Sequence, residues 1–240
     1  MEEYLKQIRA YFQKHANEEL VKKYSRFFTE GYDAYGVDQI SLHAGMDKWL
    51  KEWRDELSLH GFIKLGDFLF QSGKYEEGSL AYLFIMDFKA EFDKTILDAL
   101  GRWLENWVRN WAHTDIICGK LFRYLYEENI IDYSDLAQWR ESASKWKRRA
   151  VPVSMLNLIK NHSDYKPYLD FIRPLMLDSE RPVQQGLGWF LREAWKKQPV
   201  QVEPFLLEWK NTAPRLIYQY ATEKMTKQQK ELYRQEKIKK

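Results

Sequence analysis

The sequence is poor in residues that cross-link, span or turn. Its 240 residues hold one cysteine, Cys118, which excludes an intrachain disulfide and a cysteine-based zinc cluster. A lone thiol fits a reducing compartment, so a cytoplasmic location is expected. The five histidines, His15, His43, His60, His113 and His162, are scattered without metal-ligand spacing. No apolar run approaches the length that crosses a bilayer. The first residues, two glutamates and then an amphipathic segment, do not read as a signal peptide. With 11 Gly, 7 Pro and little Val, the turn-rich signature of an all-β protein is also missing. A net charge of +3 is too small to announce a polyanion partner by itself.

What the chain does have is helical periodicity. Leu, Lys, Glu, Ala and Trp dominate, and 45% of residues are hydrophobic, which favours an all-α fold with a sizeable core. The spacing predicts helices near 3–15, 17–28, 38–56, 59–72, 75–89, 93–108, 112–128, 133–142, 144–160, 165–173, 181–197, 200–210, 214–223 and 226–237. Ser163 or Asp164, and Asp178 or Ser179, suit helix N-caps, with Pro182 early in the helix that follows. No flexible linker interrupts the series, so residues 1–240 read as a single domain, ending in a basic segment at about 224–240. Helix pairs of roughly 35–45 residues fall in the range of HEAT-type repeats. Three segments, 75–81, 146–152 and 182–188, resemble one another loosely, with small residues where a neighbouring helix would approach. A helical solenoid of antiparallel pairs with a concave face is therefore expected.

Candidate functional positions come from tryptophan and charge. Ten tryptophans is a high count. Trp49 and Trp53, and Trp103 and Trp107, are four apart and belong to core stripes. Trp111 and Asp115 have the same spacing, which sets a carboxylate beside a large aromatic on one helical face. Continuing that stripe from Asp115 reaches Cys118 and Phe122. Such an Asp is either tied down structurally or kept open in a groove. Residues 145–149 read Lys-Trp-Lys-Arg-Arg, and 224–240 hold seven Lys or Arg against two Glu. These are solvated faces, or clusters suited to a phosphate backbone. The loop 29–37 carries Tyr32 and Tyr35, which either pack beneath it or line a ligand surface.

Taken together, Trp111 and Asp115, Trp146-Lys147-Arg148-Arg149-Ala150, and Gly188-Trp189-Phe190-Leu191-Arg192-Glu193 resemble the AlkD-like DNA alkylation repair family. The separations fit as well: 34 positions from Asp115 to Arg149 and 40 from Arg149 to Trp189. The loop 32–37, ending in Gly36-Val37, is similar to an early family segment. His113 and Thr114 depart from the pattern, where close relatives have a second aromatic.

The resemblance implies a right-handed HEAT-like solenoid with a concave basic groove, and a monofunctional glycosylase for purines alkylated at N3 or N7 in duplex DNA. It places Trp111, Asp115 and Trp189 at the lesion, with Arg149 on the backbone and Arg148 and Lys147 as further DNA contacts. Aromatic faces attract the cationic lesion and the developing oxocarbenium ion. An ionised Asp115 stabilises that charge and positions water. No lysine sits beside the catalytic set of Trp111, Asp115 and Trp189 at an evident Schiff-base position, so no strand cleavage is expected. The implied chemistry calls for no metal or other cofactor and no membrane, and a monomer is the default expectation. Two rival readings remain open: a non-catalytic binder of bent or branched DNA, and a protein–protein scaffold. The Arg192–Glu193 pair reads as an ion pair outside the site.

Overall fold

A computed structural model of the chain describes residues 1–236. Positions 237–240, the end of the expected basic tail, lie outside them. The described residues form helices without strands, gathered in two compact units, one over Met1–His113 and the other from Thr114 onward.

In the first unit, α1 (Glu2–Lys14) and α2 (Glu18–Ser25) precede the long α3 (Gln39–Gln71). The Asn17 side chain caps α2 by accepting from the backbone of Glu19 and Leu20, as a short amide at N-cap does. Between α2 and α3, Gly36 takes φ +79°, and a Cβ there would stand 2.1 Å from the Asn17 carbonyl, so only glycine fits. The helix α3 is broken at Ser58, whose φ is +50°. That break falls between the two helices expected at 38–56 and 59–72. Helices α4 (Tyr75–Asp87) and α5 (Ile96–Asn106) complete the packing against α3. Trp49 stacks on Trp53 at 5.6 Å, and Trp49, Phe62, Phe84 and Trp103 are sealed from solvent. Trp107, expected in the core with Trp103, is only half-buried. Helix α6 (Trp111–Ile117) begins at the end of this unit.

The second unit takes up the rest of α6. The single helix expected over 112–128 is instead α6, a π-helical turn at Cys118–Phe122, and α7 (Arg123–Glu127). A 3₁₀ segment over Tyr133–Glu141 replaces the α-helix expected at 133–142. Helices α8 (Lys145–Met155), α9 (Lys166–Ile172), α10 (Arg181–Lys197), α11 (Pro199–Trp209), α12 (Arg215–Ala221) and α13 (Lys227–Glu231) follow. The last of these is shorter than the helix expected over 226–237.

Asp164 and Asp178 do accept backbone N–H bonds, at 3.0 and 2.8 Å, but Asp164 stands one residue before Tyr165, which caps α9, and Asp178 two before Glu180, which caps α10. Helix α10 is the hub of the unit, packing against α8, α11 and α12. Its glycines make that possible. A Cβ on Gly188 would lie 2.5 Å from Tyr220, and one on Gly186 would lie 3.2 Å from Arg149 and Val153. The small residues noted in the sequence therefore sit where helices meet, and Gly78 does the same beneath His113 in the first unit.

Candidate functional site

In the second unit, α6, α8 and α10 bring Asp115, Arg149 and Trp189 together. Arg149 projects from α8 with only 5% of its surface exposed. Its Nε donates to Asp115 Oδ1 at 2.9 Å and its Nη2 to Oδ2 at 2.8 Å, a two-pronged match of guanidinium to carboxylate. Its Nη1 donates to the Pro182 carbonyl at 2.6 Å. The absence of a side chain on Gly186 leaves room for this guanidinium. Arg149 therefore serves as the partner of Asp115, and it offers no free fork to a phosphate in this arrangement.

Asp115 is not sealed beneath Cys118 and Phe122, which are themselves fully buried. About 15% of its side chain reaches solvent, and it lines a cavity of about 340 Å³. Burial pushes its carboxyl above the usual aspartate range, and the hydrogen bonds and charge of Arg149 pull the other way. The same cavity is lined by Trp189 and by an apolar floor of Val153, Leu156 and Ile159. Gly119, in the π turn just after Asp115, also faces it, and a Cβ there would meet nothing within 4 Å. Single π turns recur beside functional groups because the extra residue shifts side chains out of helical register.

Sequence reading missed the rim. Arg123, Lys160, Glu193 and Lys197 line the same cavity. The Lys160 ammonium donates to Asn157 at 3.4 Å, and that of Lys197 to the Lys160 carbonyl at 3.5 Å. Packing of distant segments thus brings two lysines to the cavity that Asp115 lines. Glu193 is one turn beyond Trp189 on α10, and it accepts from Arg192 at 2.9 Å and Lys196 at 2.6 Å. The expected Arg192–Glu193 ion pair is present, but its acid belongs to the cavity wall.

The basic run 145–149 turns inward for the most part. Arg148 grips Asp178 at 2.6 and 3.2 Å and donates to the carbonyls of Ser142 and Ala143. Trp146 is in the core, and the Lys147 ammonium lies 5.3 Å from the Trp139 ring centre. The charge that looked available for a polyanion is largely matched within the chain.

Trp111 is described by the first unit. Its indole Nε1 donates to the Phe27 carbonyl at 3.1 Å, and its ring stacks with Phe28, which stacks in turn with Tyr32. Even so, 41% of Trp111 remains exposed. His113, one of the two residues between Trp111 and Asp115 noted as departing from the pattern, is buried and stacks on Tyr75 at 4.7 Å. Its Nε2 lies 2.9 Å from the Tyr75 carbonyl and its Nδ1 3.1 Å from the Asn110 amide. This assigns the proton to Nε2, and burial pushes the imidazole pKa down to about 4. Of the two loop tyrosines, Tyr35 packs inward, donating to Glu77 at 2.7 Å. Tyr32 lines a second cavity of about 310 Å³ with Tyr75, Arg109 and Asn110.

An all-helical fold with an arginine-held aspartate opening into a cavity that an indole also lines defines a class before it defines a family. Among the described residues no group of acids, histidines or cysteines is placed to hold a metal ion, and no helix is long and apolar enough to cross a membrane. Residues 8–225 match the DNA alkylation repair enzyme family, and the chain belongs to it. The fold is similar to a predicted DNA alkylation repair enzyme from Enterococcus faecalis, with TM-score 0.73 and 16% identity, over 89% of this chain and 98% of that one. It is also similar to smu.31 from Streptococcus mutans UA159, with TM-score 0.55 and 20% identity, over 76% of this chain and 92% of the other. A comparison with curated proteins finds no match. The fold class is thus the helical solenoid expected from the periodicity.

Proposed function

We propose that the protein excises cationic N3- or N7-alkylated purines from duplex DNA by hydrolysing the N-glycosidic bond. The observation that carries this reading is the Asp115–Arg149 pair opening into a cavity that Trp189 also lines. Breaking the bond between C1′ and the alkylated purine sends its electron pair to the ring nitrogen, which neutralises the departing base. Positive charge is left on the sugar as an oxocarbenium ion. A carboxylate aimed at that charge stabilises it. Water then attacks C1′, its proton passes to Asp115 and on to solvent, and an abasic sugar remains.

The indole face of Trp189 suits a cationic lesion and a cationic sugar. Arg149 holds the Asp115 carboxylate in one orientation rather than touching DNA. The rim cations Arg123, Lys160 and Lys197, with Lys147, supply phosphate contacts, which position a duplex without reading its sequence. The product is a released base and an intact strand. Borohydride added during turnover should trap no covalent adduct through Lys160 or Lys197.

The test is to incubate the protein with methylated duplex DNA and measure free methylated purine, for the wild type and Asp115→Asn. Loss of most activity in the variant is expected, and full activity in it would sink the assigned mechanism. Because an ionised Asp115 is required and its carboxyl lies above the usual range, activity should fall on acidification at a higher pH than an ordinary aspartate gives. One observation favours the rival reading of a non-catalytic binder: both Asp115 oxygens already accept from Arg149. That reading predicts salt-sensitive affinity for bent or branched DNA without release of any base.

A further inference from the structure

The first unit carries a feature that excision at Asp115 does not use. Around the end of α2 the sequence runs Lys22-Lys23-Tyr24-Ser25-Arg26-Phe27-Phe28, cations interleaved with aromatic rings. In a core segment such rings would be covered. Here Tyr24 is 42% exposed, Phe27 51% and Trp111 41%.

Phe27 and Trp111 adjoin, since the indole donates to the Phe27 carbonyl at 3.1 Å. The layer beneath is a stack of rings: Trp111, Phe28 and Tyr32 follow in succession with interplanar angles of 19°, and Tyr75 closes the stack at 5.2 Å from Tyr32. The indole therefore has one face packed on protein and much of its surface left to solvent.

The cations around these rings are also uncommitted. Lys22, Lys23, Arg26 and Arg109 form no ion pair with a carboxylate among the described residues. Lys23 and Arg26 lie over the neighbouring rings of Tyr24 and Phe27, at 5.4 and 4.8 Å. The contrast with Arg148 and Arg149, whose guanidiniums are matched to Asp178 and Asp115, is direct. Unpaired positive charge calls for an anionic partner, and exposed flat rings call for a flat apolar one. An unpaired nucleotide supplies both, a phosphate for the cations and a base face for the rings.

We propose that Tyr24, Phe27 and Trp111, flanked by Lys22, Lys23, Arg26 and Arg109, form a stacking platform for an unpaired nucleotide of DNA. The proposal rests on the reading above only in taking DNA as the partner. It adds a second contact, and it predicts a preference that excision alone does not require: tighter binding of a duplex that carries one extrahelical base. Removing a lesion unpairs the base opposite it, so the natural occupant is that orphaned nucleotide.

The test is a fluorescence-anisotropy titration of two otherwise identical duplexes, one fully paired and one with a single-base bulge, using full-length wild type, Phe27→Leu, Phe27→Tyr and Lys22→Glu/Lys23→Glu. The wild type should bind the bulged duplex about ten-fold more tightly, a ratio set by the energy of one base–aromatic stack. Phe27→Leu should lose most of that ratio and Phe27→Tyr should keep it. The double charge reversal should weaken both duplexes. A circular-dichroism melt of each variant checks that it folds, which half-exposed positions allow.

Equal affinity of the wild type for the two duplexes would overturn the proposal. So would retention of the ratio by Phe27→Leu, which would mark an apolar docking surface for a protein instead. If the wild type binds neither duplex but base release is seen, the platform fails and excision stands. If bulge preference is present and base release absent, the platform stands and the excision reading fails.

Discussion

Both units bury carboxylates, and they use them in opposite ways. In the first, Glu76 and Glu77 are sealed. Glu76 accepts from the backbone N–H groups of Tyr35, Gly36 and Val37 at 2.7–3.1 Å, while Glu77 accepts from Arg9 and the Tyr35 hydroxyl. These bonds hold the loop before α3 and tie α1 to α4, and neither acid lines either cavity. In the second unit, Asp115 is largely buried and also paired, but it opens onto a cavity with an indole and a rim of cations. Burial and pairing are therefore common to a structural acid and a candidate catalytic one. What separates them is an opening, and what stands around it.

The sharpest way to break that comparison is to remove the cation. Arg149→Met should leave a buried carboxylate without its partner and destabilise the protein by about 3–5 kcal/mol, read as a lower urea midpoint. A loss under 1 kcal/mol would mean that the Asp115 carboxylate is solvated through the cavity rather than held by the pair. Asp115→Asn should slow base release about 100- to 1,000-fold, or about 3–4 kcal/mol in the barrier, measured under single-turnover conditions.

Acid should act on the first unit through His113. Its folded pKa of about 4 lies below the ordinary histidine value. Between the two, the unfolded chain binds a proton that the folded chain refuses. Stability is thus full above about pH 6.5 and falls as the pH drops, by about 3 kcal/mol toward pH 4. Urea titrations at several pH values check this, and His113→Gln should flatten the profile.

The smallest effect belongs to the sealed acids. Glu76→Gln puts an amide against one of three donors and should cost about 1–3 kcal/mol, with the base-release rate of the folded protein unchanged. If that rate collapses with Glu76→Gln, the distinction drawn here between holding a loop and facing a cavity is wrong.

Much of this was legible in the sequence. Most helices fall near their expected positions, because apolar spacing and breakers such as Ser72-Gly73 act within a few residues. The glycines of 186–188 were readable as close-approach points for the same reason. The Trp–Asp spacing and the two later segments pointed to Asp115, Arg149 and Trp189, which the second unit does gather. The π turn at Cys118–Phe122 was not legible, since its residues are as helical in type as their neighbours. Nor was the fate of the basic run. Charge in sequence shows what is available, and only packing decides whether Asp178 or solvent receives it.

The sequence by itself determined an all-helical chain, its breaks, and the residue types at a candidate site. Those follow from local periodicity and backbone preference. The tertiary structure decided which acids are closed and which open, that Arg149 holds Asp115, and that Lys160 and Lys197 join Trp189 at one rim. The physical reason is range. Helix signals act over about four residues, whereas partners 34 to 40 positions apart meet only when whole helices pack, and small differences in that packing settle whether a carboxylate is sealed or faces a cavity.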